Sequence, residues 1–217
     1  MSFTLRLSFI FLALSLTFIS PNLAQSQTAT PDTAAQHSTD EAELRSLAEA
    51  FFHTWAAKDL DAFLRLWSAG SPELESRRKE AQEAFATSER IEIRSLNIRA
   101  VNMDGGQSRV RVEIDVRVIE AQSGKEKAGY GKMLRTLECV DEAGHWKVRR
   151  EASTFDEIAD ALAAAGSEQQ RTALLTKERE LLSAGLVRAL INRGNRFFDQ
   201  GDFTRGLVLY RQAQSLA

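Results

Sequence analysis

The chain has 217 residues, a formal net charge of −2, three prolines and a single cysteine, Cys139. With 43% hydrophobic and 27% charged residues it has an ordinary globular balance, and the length suits one or two domains with a real core. The near-neutral charge argues against nucleic acid as a main partner, and one cysteine excludes an internal disulfide or a cysteine zinc cluster.

Arg6 is the only charged side chain before Asp32, and Leu7 to Ile19 is apolar except for Ser8, Ser15 and Thr17. That run is shorter than the ~20 apolar residues a bilayer span needs. A basic start, a short apolar stretch, Pro21-Asn22 and then Ala24 before polar sequence read as a signal peptide over residues 1–24. An uncleaved anchor is the alternative. The expected location is exported, periplasmic or extracellular, with no membrane contact after cleavage. Residues 25–38 are small and polar and read as a disordered tether.

Helical periodicity starts at once in the next unit, residues 39–153. Leu44, Leu47, Ala48, Phe51, Phe52 and Trp55 make one apolar face, with Ser38 and Glu41 as a capping box. Asp59 caps a second helix carrying Leu60, Phe63, Leu64 and Trp67 and stopped by Gly70. Ser71-Pro72 opens a third, thinly apolar helix to Thr87.

After Glu89 the period falls to two. Ile91 and Ile93 alternate, then Leu96, Ile98 and Ala100 continue on the other parity, so a bulge is expected at Ser95. Asp104-Gly105-Gly106 is a hairpin turn. Val110 to Val118 then alternates with Arg109, Arg111, Glu113, Asp115 and Arg117, giving one dry and one charged face. Tyr130 to Val140 and His145 to Glu151 complete a four-stranded meander. The fold class is α+β: three helices on one face of a curved antiparallel sheet, followed by an all-α segment.

This order resembles the cone-shaped fold of nuclear transport factor, ketosteroid isomerase and the SnoaL-like polyketide cyclases. The resemblance rests on Phe51-Phe52-x-x-Trp55, Ala57-Lys58-Asp59-Leu60-Asp61-x-Phe63, Leu66-Trp67 and the closing Gly144-His145-Trp146-Lys147-Val148. It implies a sheet wrapped on helices around a conical pocket. His53, Trp55, Trp67 and Tyr130 are the candidate ligand-binding residues. An Asp115–Tyr130 catalytic pair is disfavoured, because Asp115 is on the charged parity, and no catalytic residue is assigned. His37, His53 and His145 have no metal-ligand spacing, and no metal or cofactor is expected. Phosphate-loop, HExxH and GxSxG patterns do not occur.

Residues 154–185 read as connecting helices. Thr154 to Glu157 is a capping box, Ser167 to Gln170 is another opening a helix through about Ser183, and Gly185 interrupts. Residues 186–217 resemble one tetratricopeptide repeat, with Leu190, Gly194 and Phe197 on a first helix. Gly201 and Phe203 follow at the turn, then Gly206, Tyr210 and Ala213 on a second helix. A generic helical hairpin is the alternative. One repeat cannot bury its face alone, so cover must come from the preceding helices or from further repeats after Ala217, the favoured reading. The expected function is a non-enzymatic exported binding or scaffold protein. Its hairpin would meet a protein partner or downstream domains, and its cone domain would bind a small ligand or form a homodimer. The alternative is a small-molecule isomerase, cyclase or hydratase working in the cone.

Overall fold

A computed structural model describes residues 31–217. The signal reading and the first part of the tether lie outside these residues. The chain runs α1 (Pro31–Ala56), α2 (Leu60–Arg65), α3 (Leu74–Thr87), β1 (Ser88–Asp104), β2 (Gln107–Glu120), β3 (Gly131–Glu142), β4 (His145–Ser153) and α4 (Thr154–Ala164). It continues with α5 (Glu168–Lys177), a 3-10 turn (Arg179–Leu181), α6 (Ala184–Asp199) and α7 (Phe203–Leu216). The strands form one antiparallel meander in the order β1-β2-β3-β4.

β2 alternates as its sequence dictates, with Val110, Val112, Ile114, Val116 and Val118 at 1% exposure or less. These residues meet Leu44, Phe51, Phe52, Phe63 and Trp67 from α1, α2 and the segment after α2. β1 shifts register between Ile93 and Ser95 as expected, and also between Ser88 and Arg90 and between Ile98 and Ala100. Such irregularities bend a strand and raise its twist, which curls the sheet over the helices.

Three helix starts differ from expectation. α1 begins at Pro31, inside the expected tether, so Ser38 and Glu41 are interior residues rather than a capping box. Proline suits a first helical position because the missing N–H has no partner there anyway. α3 starts at Leu74: the Ser71 hydroxyl accepts from the Glu73 amide at 3.1 Å and donates to the Arg149 carbonyl at 2.6 Å, holding a turn before the helix. α4 forms no box, because the Thr154 hydroxyl shares a hydrogen bond with Thr136 of β3 at 2.9 Å. α2 is capped by Asp59, whose carboxylate accepts from the Ala62 amide at 2.9 Å. It ends at Arg65, not Gly70, because the next residues bridge to β4: Val148 N–H to Leu66 at 2.8 Å and Ser68 N–H to Val148 at 2.7 Å.

α4, α6 and α7 share a second core of Ile158, Leu162, Leu186, Leu190, Phe197 and Leu209, so α4 gives the hairpin cover on one side. The glycines set the α6–α7 spacing. A Cβ on Gly194 would stand 2.9 Å from the Tyr210 ring, and one on Gly206 would stand 2.3 Å from the Phe198 ring. Leu190 and Ala213 are buried, Gly201 turns the chain with φ +76°, and the Arg193 and Arg205 guanidiniums lie 5.0 and 4.7 Å from the Phe197 ring centre. Phe203 departs from the packing role expected of it, being 58% exposed and touching Phe198 edge-on. Gly185 does not interrupt; it lies inside α6, where only hydrogen leaves room for the Phe155 ring of α4.

This second unit lies against the charged face of the sheet, so helices occupy both faces. α5 stops at Lys177, and the next residue, Glu178, reaches Arg111 of β2 through two hydrogen bonds of 2.6 and 2.9 Å. Those bonds to Glu178 hold the Arg111 pKa above its ordinary value despite partial burial. Arg109 pairs with Glu157 of α4 at 3.3 Å.

Candidate ligand cavity

The dry face of the sheet and α1–α3 enclose a cavity of about 260 Å³. α1 contributes Phe51, Phe52 and Trp55, α2 Phe63, and the bridge to β4 Trp67. α3 contributes Ala81, Ala84 and Arg77 at helical spacing, so its small residues open room beneath it. The sheet adds Ile114, Val116, Met133, Arg135 and Glu151, and Tyr130 closes one side just before β3.

The aromatic wall is cross-braced. Phe51 has ring contacts with Phe52, Phe63 and Trp67 at centroid distances of 5.1, 4.9 and 5.6 Å, and Trp55 stacks on Tyr130 at 6.2 Å. Trp67 is 4% exposed, and its indole N–H has no hydrogen-bond partner among the described residues. A buried donor without an acceptor is costly, and this one is sealed within the wall rather than open to the cavity.

The polar part of the wall is an ion cluster. Glu151 is buried and its carboxylate is shared between Arg135, which donates to Oε1, and Arg77, 3.4 Å from Oε2. Arg77 also donates to the Glu151 backbone carbonyl at 2.6 Å and to Glu80 at 2.9 Å. Burial lowers the Arg77 pKa, but the surrounding carboxylates of Glu151, Glu80 and Glu73 outweigh it and raise the value overall. Both Glu151 oxygens therefore face guanidinium groups.

Of the four candidate ligand-binding residues, the structure brings Trp55, Trp67 and Tyr130 to the cavity wall. His53 is not there: it is exposed in the last turn of α1, off the buried stripe, where a basic side chain suits the carbonyl end of a helix. Asp115 lies on the opposite face of β2 from the cavity residues Ile114 and Val116. The sequence reading missed Arg135 and Glu151. Arg135 shares parity with Met133, Leu137 and Cys139, so an inward-facing arginine was legible. Glu151 was not, because the β3–β4 ladder slips at Glu138/Cys139: Arg150 pairs with Glu138 and Val148 with Cys139, and Arg149 is left over. The extra residue turns Glu151 inward. Among the described residues, no three His, Cys, Asp or Glu side chains are grouped to hold a metal ion.

No family model matches the chain, and no curated protein matches its sequence. Several solved structures are similar to about half of the chain. A conserved protein from Planctomyces limnophilus is 13% identical with TM-score 0.46, covering 54% of this chain and 95% of its own. A ketosteroid isomerase-like protein from Erwinia carotovora atroseptica is 14% identical with TM-score 0.43, covering 51% and 91%. Bd1075 from Bdellovibrio bacteriovorus is 15% identical with TM-score 0.44, covering 55% of this chain and 41% of its own.

Proposed function

We propose that this is an exported, non-enzymatic binding protein. Its cone holds a small, largely apolar ligand, and its α6–α7 hairpin, read as a tetratricopeptide-like unit, presents a surface to a protein partner. The observation that carries the cone reading is the state of Glu151. It is the one buried carboxylate on the cavity wall among the described residues, and Arg135 and Arg77 hold both its oxygens. A general acid or base must lie within hydrogen-bond reach of the substrate's proton, and here the carboxylate's partners are arginines of the wall. What the wall offers instead is aromatic surface, with the paired Arg77, Arg135 and Glu151 side chains at its polar edge. At about 260 Å³ the space falls just below the ~300–1,000 Å³ of typical ligand sites and suits a small, largely apolar molecule of one or two rings.

Tryptophan fluorescence tests this directly, because Trp55 and Trp67 form the wall. Titration with 2-naphthoate and with a neutral naphthyl alcohol should give saturable quenching with at least one of them, abolished by Ala84→Phe, which fills the space. Absence of saturation with either compound would sink the binding reading. Turnover of an enolisable ketone lost in Tyr130→Phe would instead establish the isomerase alternative. Export is tested by N-terminal sequencing of protein recovered outside the cytoplasm. A start at about Gln25 is expected under the small-residue cleavage rule, and an intact Met1 would favour the anchor.

A further inference from the structure

The α6–α7 hairpin is basic and leaves several large apolar side chains exposed. Ile191 is 41% exposed, Leu207 47% and Phe203 58%; four-residue spacing puts Val187 and Ile191 in one short apolar stripe on α6, and Phe203 and Leu207 in another on α7. Several large apolar side chains exposed on one hairpin mark an interaction site more often than a single one does. Residues 184–217 contain five arginines and two aspartates, with no lysine or glutamate. Arg193 and Arg205 are engaged with Asp160 and Asp202, each at 2.5 Å. Arg188 and Arg211 carry no ion pair among the described residues. Arg188 lies three residues before Ile191 and Arg211 four after Leu207, spacings that place each beside the stripe on its own helix. Arg188 stands at the rim between a groove with Val187, Ile191 and Leu216 and a cavity with Glu113 and Asp156.

We infer that the hairpin seats an acidic amphipathic helix of a partner protein, its apolar ridge between α6 and α7 and its carboxylates on Arg188 and Arg211. The inference rests on the proposed partner-binding role of the hairpin and adds the chemistry of the partner. Two antiparallel helices leave a groove that accepts the ridge of a third, and apolar anchors at helical spacing are the usual way such a groove is filled. Opposite charge at the rim sets orientation and rejects wrong partners. An anionic membrane fits less well, since surface attachment takes clusters of roughly four to eight basic residues.

The test uses the full chain and two synthetic 20-residue helical peptides with one leucine stripe, flanked in one by glutamate and in the other by lysine. The glutamate peptide should bind at least about tenfold more tightly, as a charge-complementary rim requires. Leu207→Glu and Ile191→Glu, both at exposed positions, should abolish binding with helicity unchanged. Arg188→Glu with Arg211→Glu should reverse the preference. Equal binding of the two peptides overturns the acidic-partner inference and leaves the partner-binding role standing. No binding of either by a folded hairpin overturns both. Binding only to vesicles of phosphatidylcholine with phosphatidylserine, or self-association removed by the same substitutions, also overturns the inference.

Discussion

The cone and the C-terminal helices bury their apolar surface in different ways. In the cone, a period-two strand and a period-3.6 helix supply large side chains, and Phe51, Phe63 and Trp67 close the centre. In the helical unit, close approach does the work: Gly194 and Gly206 let α6 and α7 come together, and α4 lies over both. The two clusters are distinct. Where the units meet, the contacts are polar: Arg111 with Glu178, Arg109 with Glu157, and Thr136 with Thr154. Two cores joined by charge and hydrogen bonds should unfold as two coupled cooperative units rather than one.

The largest effects come from deleting a ring in each core. Phe51→Ala and Phe197→Ala should each cost about 3–5 kcal/mol. They should act on different transitions. All three tryptophans belong to the cone, so fluorescence reports that unit, while far-ultraviolet circular dichroism reports both. Phe51→Ala should move the fluorescence midpoint strongly. Phe197→Ala should lower an early loss of helicity and leave the fluorescence midpoint nearly in place. Equal shifts of both signals in both variants would show a single cooperative core.

Much of the cone was legible because one physical demand dominates there. The alternation from Val110 to Val118 has no other use than a half-buried strand, and the parity change at Ser95 announced its register shift. The cavity charges were harder to read. Glu151 faces inward only because of the slip beside Arg149, which strand periodicity alone does not show. His53 looked eligible by adjacency to Phe52, but neighbours on a helix point about 100° apart, and this one points out. In the helical unit the glycine and aromatic spacings were visible. The docking of Glu178 on Arg111 links residues 67 positions apart and leaves no local pattern.

The Arg111–Glu178 contact joins the two units, and removing it comes next in size. Arg111→Met leaves Glu178, 6% exposed, without its bidentate partner, an imbalance that costs about 1–3 kcal/mol. The loss should appear as a wider gap between the helicity and fluorescence transitions, because the link between the units is what was removed. Adding Glu178→Leu should restore part of the stability, since removing both charges costs less than orphaning one. A double variant as unstable as the single one would mean that Arg111 acts through its other neighbours.

The smallest effect is at Cys139, and it concerns the cone alone. Burial pushes its thiol pKa up from an ordinary 9.0 to about 12, with the nearby Glu138 carboxylate adding to the rise. Between those values the unfolded chain holds fewer protons than the folded one, so cone stability falls as pH rises from about 9 toward 12 and is untouched below 9. At neutral pH the useful consequence is kinetic: a buried, protonated thiol reacts only when its surroundings open. Thiol labelling should therefore track fluorescence, accelerating in Phe51→Ala and staying slow in Phe197→Ala even where helicity has already been lost. Labelling that instead follows helicity would mean that opening the second unit opens the cone, and the polar contacts between them would then transmit unfolding rather than separate it.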